Sequence, residues 1–381
     1  MKENRILFLG EYTGFAGGIE RYAFQSALIL RKNGIGVDWC GRFPAREEKL
    51  FRTGFDHVLS PEELLSAGTE YALAALHKLP ERPFLAALRA RFGEKLVFWA
   101  HDHDLYCPRR HYYTPFGRTN CHRAYSPFRC FFCSAVTSPR NWKYRKKDTS
   151  FFLRELGNHR AIVLSSFMKE NLVRNGFHPS LVRRIPPVIP VPEVVSSPAE
   201  EEENGPLKIL FLGQLIRGKG ADLLLDALKL LSVPWHAVIA GDGPDRIMLE
   251  ERARKENWTS LVEFPRWLAD PSSALAGCDV AVFPSRWQEP FGLSGAEASA
   301  YGKPVVAFDV GGVREWLEDA VTGFAVPERD TVLLAEKLEL LFSDRALRRR
   351  MGEAGRRKMR EEFSEEKFLS SFRSLLEEVS S

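Results

Sequence analysis

The side chains best suited to ligand chemistry are two glutamates with seven residues between them, Glu289 and Glu297. They follow residues 279–283 (DVAVF), which predict a buried strand, and Glu297 lies about one turn into a predicted helix. Ionised carboxylates only accept hydrogen bonds and suit hydroxyl groups, whereas backbone N–H groups at a helix start suit phosphate. Those N–H groups belong here to Phe291, Gly292 and Leu293. The combination favours a ligand that is part phosphate and part polyol, as a nucleotide sugar is.

The helix that carries Glu297 is flanked by two predicted strands. It is expected to end at Gly302, before a second apolar run at residues 305–308. Apolar strands joined by a helix form a parallel βαβ unit that is buried on both faces, and such units bind ligands at the carboxyl ends of their strands. The alternative for Glu297 alone is a first-turn acid that favours the helix dipole.

Two segments of the chain open in the same way. Residues 5–10 (RILFLG) and residues 208–213 (KILFLG) each place an apolar run after a basic residue and end it on glycine. A glycine-bearing loop and an amphipathic helix follow each of them, at residues 19–32 and 222–231. This weak internal repeat predicts an α/β protein with two Rossmann-like domains.

The loops after these two strands carry residues that suit phosphate. Gly14, Gly17 and Gly18 would let the first loop approach a ligand closely. Their spacing is not that of a dinucleotide site and no acid ends the second strand, so a dinucleotide-dependent dehydrogenase is poorly supported. In the second loop, Lys219 could meet a diphosphate as a point charge.

The stretch that begins at Glu289, EPFGLSGAEASAYGKPVVAFDVGG, resembles the signature of glycosyltransferase family 4. That family consists of retaining enzymes with the GT-B fold, in which two Rossmann-like domains face each other across a cleft. The resemblance implies that Glu289 contacts hydroxyl groups of a donor sugar and that Glu297 contacts the ribose diol of its nucleotide. It also implies that the backbone of residues 291–293 contacts the sugar and the diphosphate.

Other segments resemble the binding loops of the same family. Lys219-Gly220 matches, whereas Gln214 stands where the family usually has arginine, and Arg217 is a candidate to compensate. His101-Asp102 matches a pair that follows a strand of the first domain, where His101 could donate to a phosphate or a hydroxyl group. The predicted catalytic residues are His101 and Glu289, and the predicted donor-binding residues are Gly17, Gly18, Gln214, Arg217, Lys219, Gly241, Arg266, Phe291, Gly292, Leu293 and Glu297.

Four cysteines lie within a stretch of 27 residues, and the last two form a Cys-x-x-Cys pair. They are Cys107, Cys121, Cys130 and Cys133. For a protein expected to be cytosolic, this composition favours a structural zinc over disulfides, and some members of the family resemble it here. Free cysteines are the alternative, and His111 or His122 could substitute for a ligand. Catalysis itself is expected to require no cofactor.

The same region is strongly basic. Residues 109–147 contain ten Lys or Arg, nine aromatic residues and no Asp or Glu. This mixture suits an anionic membrane surface and would equally suit nucleic acid. The alternative without a binding function is a solvated surface. We expect the membrane surface, because polyprenyl-linked acceptors are common in bacterial glycan assembly.

Charge and hydropathy divide the chain further. Residues 1–193 carry 30 Lys or Arg and 18 Asp or Glu, and the remainder carries 24 and 32, so balances of +12 and −8 give the net +4.

No apolar run approaches the ~20 residues of a membrane span, so we expect a cytoplasmic protein, peripheral on the inner face of the plasma membrane. The predicted domains are residues 1–190 for the acceptor, with a returning helix at residues 362–381, a linker at 191–206, and residues 207–361 for the donor.

The expected function is retaining transfer of a hexose-type sugar from a UDP- or GDP-linked donor to a glycan or polyprenyl-linked acceptor. Bacterial polysaccharide or lipopolysaccharide biosynthesis is the expected setting, with no nucleic acid as a partner. Two alternatives stay open: an epimerase or hydrolase of nucleotide sugars on the same fold, and a non-catalytic nucleotide-sugar-binding module.

Overall fold

The computed structural model describes residues 5–109, 112–114, 119–135, 142–193, 205–268 and 270–380. The chain forms two compact units. Unit 1 joins Met1–Val188 with Glu365–Ser381, and unit 2 is Ile189–Ser364. Each unit has its own parallel sheet, so each is described separately below.

Unit 1 is built on a parallel sheet of seven strands in the order β5-β3-β1-β6-β7-β8-β9. Strands β1, β6, β7 and β8 are buried along their whole length, as expected for apolar runs covered on both faces. The strands of the unit are β1 (Ile6–Leu9), β2 (Tyr12–Thr13), β3 (Val37–Cys40), β4 (Phe43–Pro44), β5 (Val58–Leu59), β6 (Leu73–Leu76), β7 (Leu96–Ala100), β8 (Ala161–Val163) and β9 (Val182–Arg184). Of these, β2 and β4 pair with each other in a separate two-stranded sheet. The helices are α1 (Gly18–Lys32), α2 (Glu48–Arg52), α3 (Pro61–Ser66), α4 (Arg82–Phe92), α5 (Pro127–Ala135), α6 (Trp142–Leu156) and α7 (Ser166–Arg174).

Unit 2 has a parallel sheet of six strands in the order β12-β11-β10-β13-β14-β15. The strands are β10 (Leu207–Leu212), β11 (Trp235–Ala240), β12 (Val262–Glu263), β13 (Val280–Phe283), β14 (Val305–Phe308) and β15 (Gly323–Val326). The helices are α8 (Ala221–Leu228), α9 (Arg246–Lys255), α10 (Ser272–Gly277), α11 (Leu293–Ala300), α12 (Thr331–Ser343) and α13 (Arg345–Glu362). The strand order reverses between β10 and β13, which is where open α/β sheets bind ligands.

The final helix, α14 (Glu365–Ser380), belongs to unit 1 and covers its sheet. Phe372 is fully buried and its ring lies 6.0 Å from that of Trp99 in β7. On the polar side, Arg183 of β9 donates to Ser374 Oγ at 3.0 Å, and Lys32 of α1 donates to Glu365 at 3.2 Å. Burying one aromatic side chain of this size contributes about 1.5–3 kcal/mol, so the apolar face of α14 is the larger source of its attachment.

The sequence-based fold class is confirmed: the protein is α/β with two Rossmann-like parallel sheets. The predicted βαβ unit is present, with Ala281 of β13 in register with Val305 of β14. Within the described ranges, no helix combines the length and the apolar character that crossing a bilayer needs.

Candidate active site

The centre of the candidate site in unit 2 is an ion pair between Lys219 and Glu289. Lys219 Nζ donates to both oxygens of the Glu289 carboxylate, at 2.7 and 2.9 Å. Ser285 Oγ donates to Glu289 Oε1 at 2.5 Å, and Glu289 is only 6% exposed. Lys219 follows β10 and Glu289 follows β13, so neighbouring strands bring the two sequence-predicted residues into one site.

A second ion pair fastens the two loops that carry Lys219 and Glu289. Arg286 donates to both oxygens of Asp222, at 2.6 and 2.7 Å, and to the carbonyl of Arg217 at 2.7 Å. Its backbone N–H also donates to the carbonyl of Gly218 at 2.8 Å. Sequence reasoning missed Arg286 and Asp222. The sequence pattern that could have indicated them is an arginine in the loop after β13 and an acid in the first turn of α8, which follows β10.

Two glycines fix the backbone on either side of the site. Gly220 has φ +76°, and a Cβ there would lie 1.9 Å from the carbonyl oxygen of Pro284. Gly311 has φ +59°, and a Cβ there would lie 2.3 Å from the carbonyl oxygen of Glu289. Only glycine tolerates both the left-handed conformation and this proximity. The next N–H, that of Gly312, donates to the same carbonyl at 2.7 Å.

The amino end of α11 lies in the chain directly after Glu289. Gly292 is its N-cap residue, with φ +92°, and has no side chain to accept from the first-turn N–H groups. The carbonyl of the preceding Phe291 accepts from Trp316 Nε1 at 2.7 Å, which anchors the turn. Leu293 begins the helix and the half-buried Glu297 is its fifth residue, about one turn in, as predicted. Uncapped helix N–H groups next to a carboxylate can hold an anion with hydroxyl groups attached.

The other predicted donor-binding residues of unit 2 lie after three neighbouring strands. Gln214 and Arg217 are exposed in the loop after β10. Gly241 follows β11, and its carbonyl accepts from Arg246 at 3.1 Å. Arg266 follows β12 and is exposed, 3.4 Å from Asp242. They share the carboxyl edge of the sheet with Lys219.

In unit 1 the predicted residues lie after β1 and β7. Gly17 is the N-cap of α1 and Gly18 its exposed first residue. His101 follows β7, and its Nε2 lies 2.8 Å from Nδ1 of His77, which follows the adjacent β6. Burial lowers the pKa of His101 to about 3, so the ring is neutral at physiological pH.

Asp102 and Asp104 have the spacing of a metal-binding Asp-x-Asp pair. In the structure both carboxylates accept from Lys78 Nζ, at 2.7 and 2.5 Å. Sequence reasoning missed His77 and Lys78. Only their position in the sequence could have indicated them, because they follow β6 just as His101 and Asp102 follow β7.

The four cysteines of the predicted zinc site all lie among the described residues. Cys130 and Cys133 are one turn apart on α5, and the N–H of Cys121 donates to the carbonyl of Tyr112 at 2.8 Å. Burial raises the pKa of the Cys107 thiol to about 12, and Cys121 and Cys133 contribute to the rise. Among the described residues, no group of three or more His, Cys, Asp or Glu side chains is arranged to hold a metal ion. His111 lies outside them.

Comparisons with known proteins bear on both units. Residues 196–358 match the family model of glycosyl transferases group 1. The structure of Alr3699/HepE from Anabaena in complex with UDP superposes with a TM-score of 0.76 and 18% identity, over 98% of this chain and 100% of that one. The chain thus has the GT-B fold. The family model thus matches less than half of the chain, and the likeness to the Anabaena structure shows the fold alone.

Two curated relatives are similar to part of the chain. The uncharacterized glycosyltransferase MJ1178 of Methanocaldococcus jannaschii is 33% identical over 172 residues, 45% of this chain and 48% of that protein. The capsular polysaccharide biosynthesis glycosyltransferase CapM of Staphylococcus aureus is 28% identical over 167 residues, 42% and 43% of the two chains. The chain therefore spans about half the length of these relatives or less.

The Arg286–Asp222 pair predicts a stability difference between two matched variants. Asp222→Asn removes the charge that balances an arginine side chain only 8% exposed, and should cost about 2–3 kcal/mol of unfolding free energy. Asp309→Asn breaks a bidentate pair with Arg314 whose side chains are 41% and 47% exposed, and should cost less than about 1 kcal/mol. Urea unfolding of both variants measures the difference. Equal losses would contradict the role of the Arg286–Asp222 pair as a clamp that fastens the two loops.

Proposed function

We propose that this protein is a retaining glycosyltransferase of family 4 that moves a hexose-type sugar from a nucleotide-diphosphate sugar to an acceptor. The observation that carries the proposal is the Lys219–Glu289 ion pair beside the uncapped amino end of α11. The pair offers a cation for a diphosphate and a carboxylate for sugar hydroxyl groups within one site.

The chemistry would turn on the charge of the leaving group. A diphosphate would compete with Glu289 for Lys219, and its negative charge grows as the sugar departs. Lys219 and the N–H groups of α11 would therefore stabilise the transition state more than the ground state. Glu289, released from Lys219, would hold the sugar through its hydroxyl groups while an acceptor attacks from the leaving-group face. Glu297 would accept from the ribose diol.

The donor is proposed to be UDP- or GDP-linked and the acceptor a glycan or polyprenyl-linked glycan, in bacterial cell-surface polysaccharide or lipopolysaccharide biosynthesis. Support for the donor comes from the UDP in the Anabaena structure, and support for the setting from the capsular relative.

Nucleotide binding tests the donor site. UDP, GDP, ADP and dTDP should be compared by thermal shift on the wild type and on Glu297→Ala. A nucleotide at about 100 times its Kd should add ~2.7 kcal/mol, and the gain should fall in Glu297→Ala because the ribose loses its acceptor. Glu289→Gln should keep the thermal shift with nucleotide and lose sugar transfer. An amide has only one acceptor oxygen and no charge, so it cannot hold the sugar hydroxyl groups as the carboxylate does.

The outcomes separate the alternatives. Transfer retained by Glu289→Gln would remove the assigned role of Glu289. A change in the donor sugar without an acceptor would favour an epimerase or hydrolase. Nucleotide binding without any turnover would favour a non-catalytic binding module, and no stabilisation by any nucleotide would contradict the donor site.

A second proposal concerns α5, which we propose contacts an anionic membrane surface. Phe128 and Phe132 lie one turn apart on this helix and are 73% and 54% exposed, with ring centroids 5.1 Å apart. Arg123 and Arg129 are exposed close by in the chain. Exposed aromatic rings flanked by cations suit the headgroup boundary of an anionic bilayer. The protein would then act at the cytoplasmic face of the plasma membrane.

Flotation tests this surface. The wild type should co-migrate with phosphatidylglycerol liposomes at low salt and not with phosphatidylcholine liposomes, because the attraction is electrostatic. Phe128→Ser/Phe132→Ser should float less, since it removes the apolar part of the contact. Phe43→Ser changes another exposed phenylalanine of unit 1, 45% exposed, and should float like the wild type. Wild-type protein that stays at the bottom with both liposomes would contradict the proposal.

We also propose a structural zinc, supported by the cysteine composition and by the helical spacing of Cys130 and Cys133. Metal analysis of the purified protein should find one zinc per chain. Cys133→Ser should lose it, whereas Cys278→Ser, which changes a buried thiol in unit 2, should keep it. A zinc-free wild type would mean that the four thiols are free.

A further inference from the structure

His77 and His101 of unit 1 contact each other through their rings. His77 is 2% exposed and His101 is half-buried. Their ring centroids are 5.0 Å apart, the ring planes differ by 12°, and the facing nitrogens are 2.8 Å apart. At that separation the rings meet edge to edge, which is the arrangement of a direct N–H···N hydrogen bond.

The proton in this contact can belong to either ring. Burial lowers the pKa of both histidines, so each ring carries one N–H at physiological pH. In one arrangement, His77 donates from Nδ1 to His101 Nε2, and His77 Nε2 is a bare acceptor. In the other, His101 donates from Nε2, and the proton of His77 lies on its own Nε2.

The surroundings of His77 Nε2 decide between the two arrangements. This nitrogen is buried and has no hydrogen-bond partner among the described residues. Aromatic rings surround His77, with Phe8 at 4.5 Å and Trp99 at 4.8 Å between centroids. Among backbone groups, a buried N–H without an acceptor is rarer than a buried carbonyl without a donor. By the same preference, the proton belongs on Nδ1 of His77.

We infer that His77 is a positioning residue that holds His101 in the tautomer with its proton on Nδ1. Nε2 of His101 is then engaged by His77, and Nδ1–H is the only group of the ring able to donate to a ligand oxygen. Of the charged neighbours, Asp102 raises the pKa of His101 and Lys78 lowers it. That a sugar or phosphate oxygen accepts this hydrogen bond rests on the proposed function, whereas the tautomer does not.

Nuclear magnetic resonance tests the inference without a substrate. Long-range 1H–15N spectra of the full-length protein with 15N-labelled histidine distinguish a protonated ring nitrogen from a bare one. The His101 signals are identified by their loss in His101→Gln. In the wild type we expect Nδ1 at the shift of a protonated nitrogen and Nε2 at that of a bare, hydrogen-bonded one.

Three variants separate a hydrogen-bonding role from packing. His77→Phe keeps a buried ring but removes the donor, and should shift His101 toward the Nε2–H tautomer that free imidazole prefers. His77→Asn restores an N–H near the position of Nδ1 and should return the Nδ1–H signal. His57→Phe, on a loop before β5, should change nothing at His101. An Nε2–H tautomer in the wild type overturns the inference even if His77→Phe fails to fold, and so does an unchanged tautomer in a folded His77→Phe.

Discussion

The site in unit 2 depends on one interaction, the bidentate ion pair between Arg286 and Asp222. It joins the loop after β13 to the first turn of α8, and the same guanidinium holds the carbonyl of Arg217. Lys219 is two residues beyond that carbonyl and Glu289 three residues beyond Arg286. An error of one ångström in either loop would separate an ammonium from a carboxylate that are 2.7 Å apart. The clamp therefore sets the geometry on which the proposed chemistry relies.

The Lys219–Glu289 pair has a different role, because a ligand could replace one of its two partners. Two unit charges at about 4 Å attract by roughly 4 kcal/mol at an effective dielectric constant near 20. Glu289 is 8% exposed in its side chain, so leaving it without a cation would cost more than the pair itself gains. Ser285 provides a second partner at 2.5 Å, which would limit that cost when a diphosphate draws Lys219 away. A serine beside the acid thus makes the exchange of partners feasible.

The sequence predicted the parts of the structure that repeat along the chain. Strand β14 lies at residues 305–308 as expected, because apolar runs bounded by proline and glycine are readable without tertiary information. The clamp and the histidine contact were not predictable in this way. Arg286 and Asp222 are 64 positions apart, and His77 and His101 are 24 apart. Both contacts arise because particular strands are neighbours, and sequence patterns do not give strand order. Glu289 and Glu297 could be predicted from the sequence because both lie in one continuous motif.

The carboxyl edges of the two sheets present different hydrogen-bond donors. In unit 1, burial keeps His77 and His101 neutral, and Lys78 engages the carboxylates of Asp102 and Asp104. That edge can offer a neutral hydrogen-bond donor, whose strength changes little with pH. In unit 2, Lys219 is paired with the carboxylate of Glu289, and a bound anion could take the place of that carboxylate beside the lysine. A departing diphosphate needs the environment of unit 2, since a cation stabilises a growing negative charge more strongly than a neutral donor does. An uncharged hydroxyl group is better served by that of unit 1, because a neutral donor orients it without competing for the leaving group.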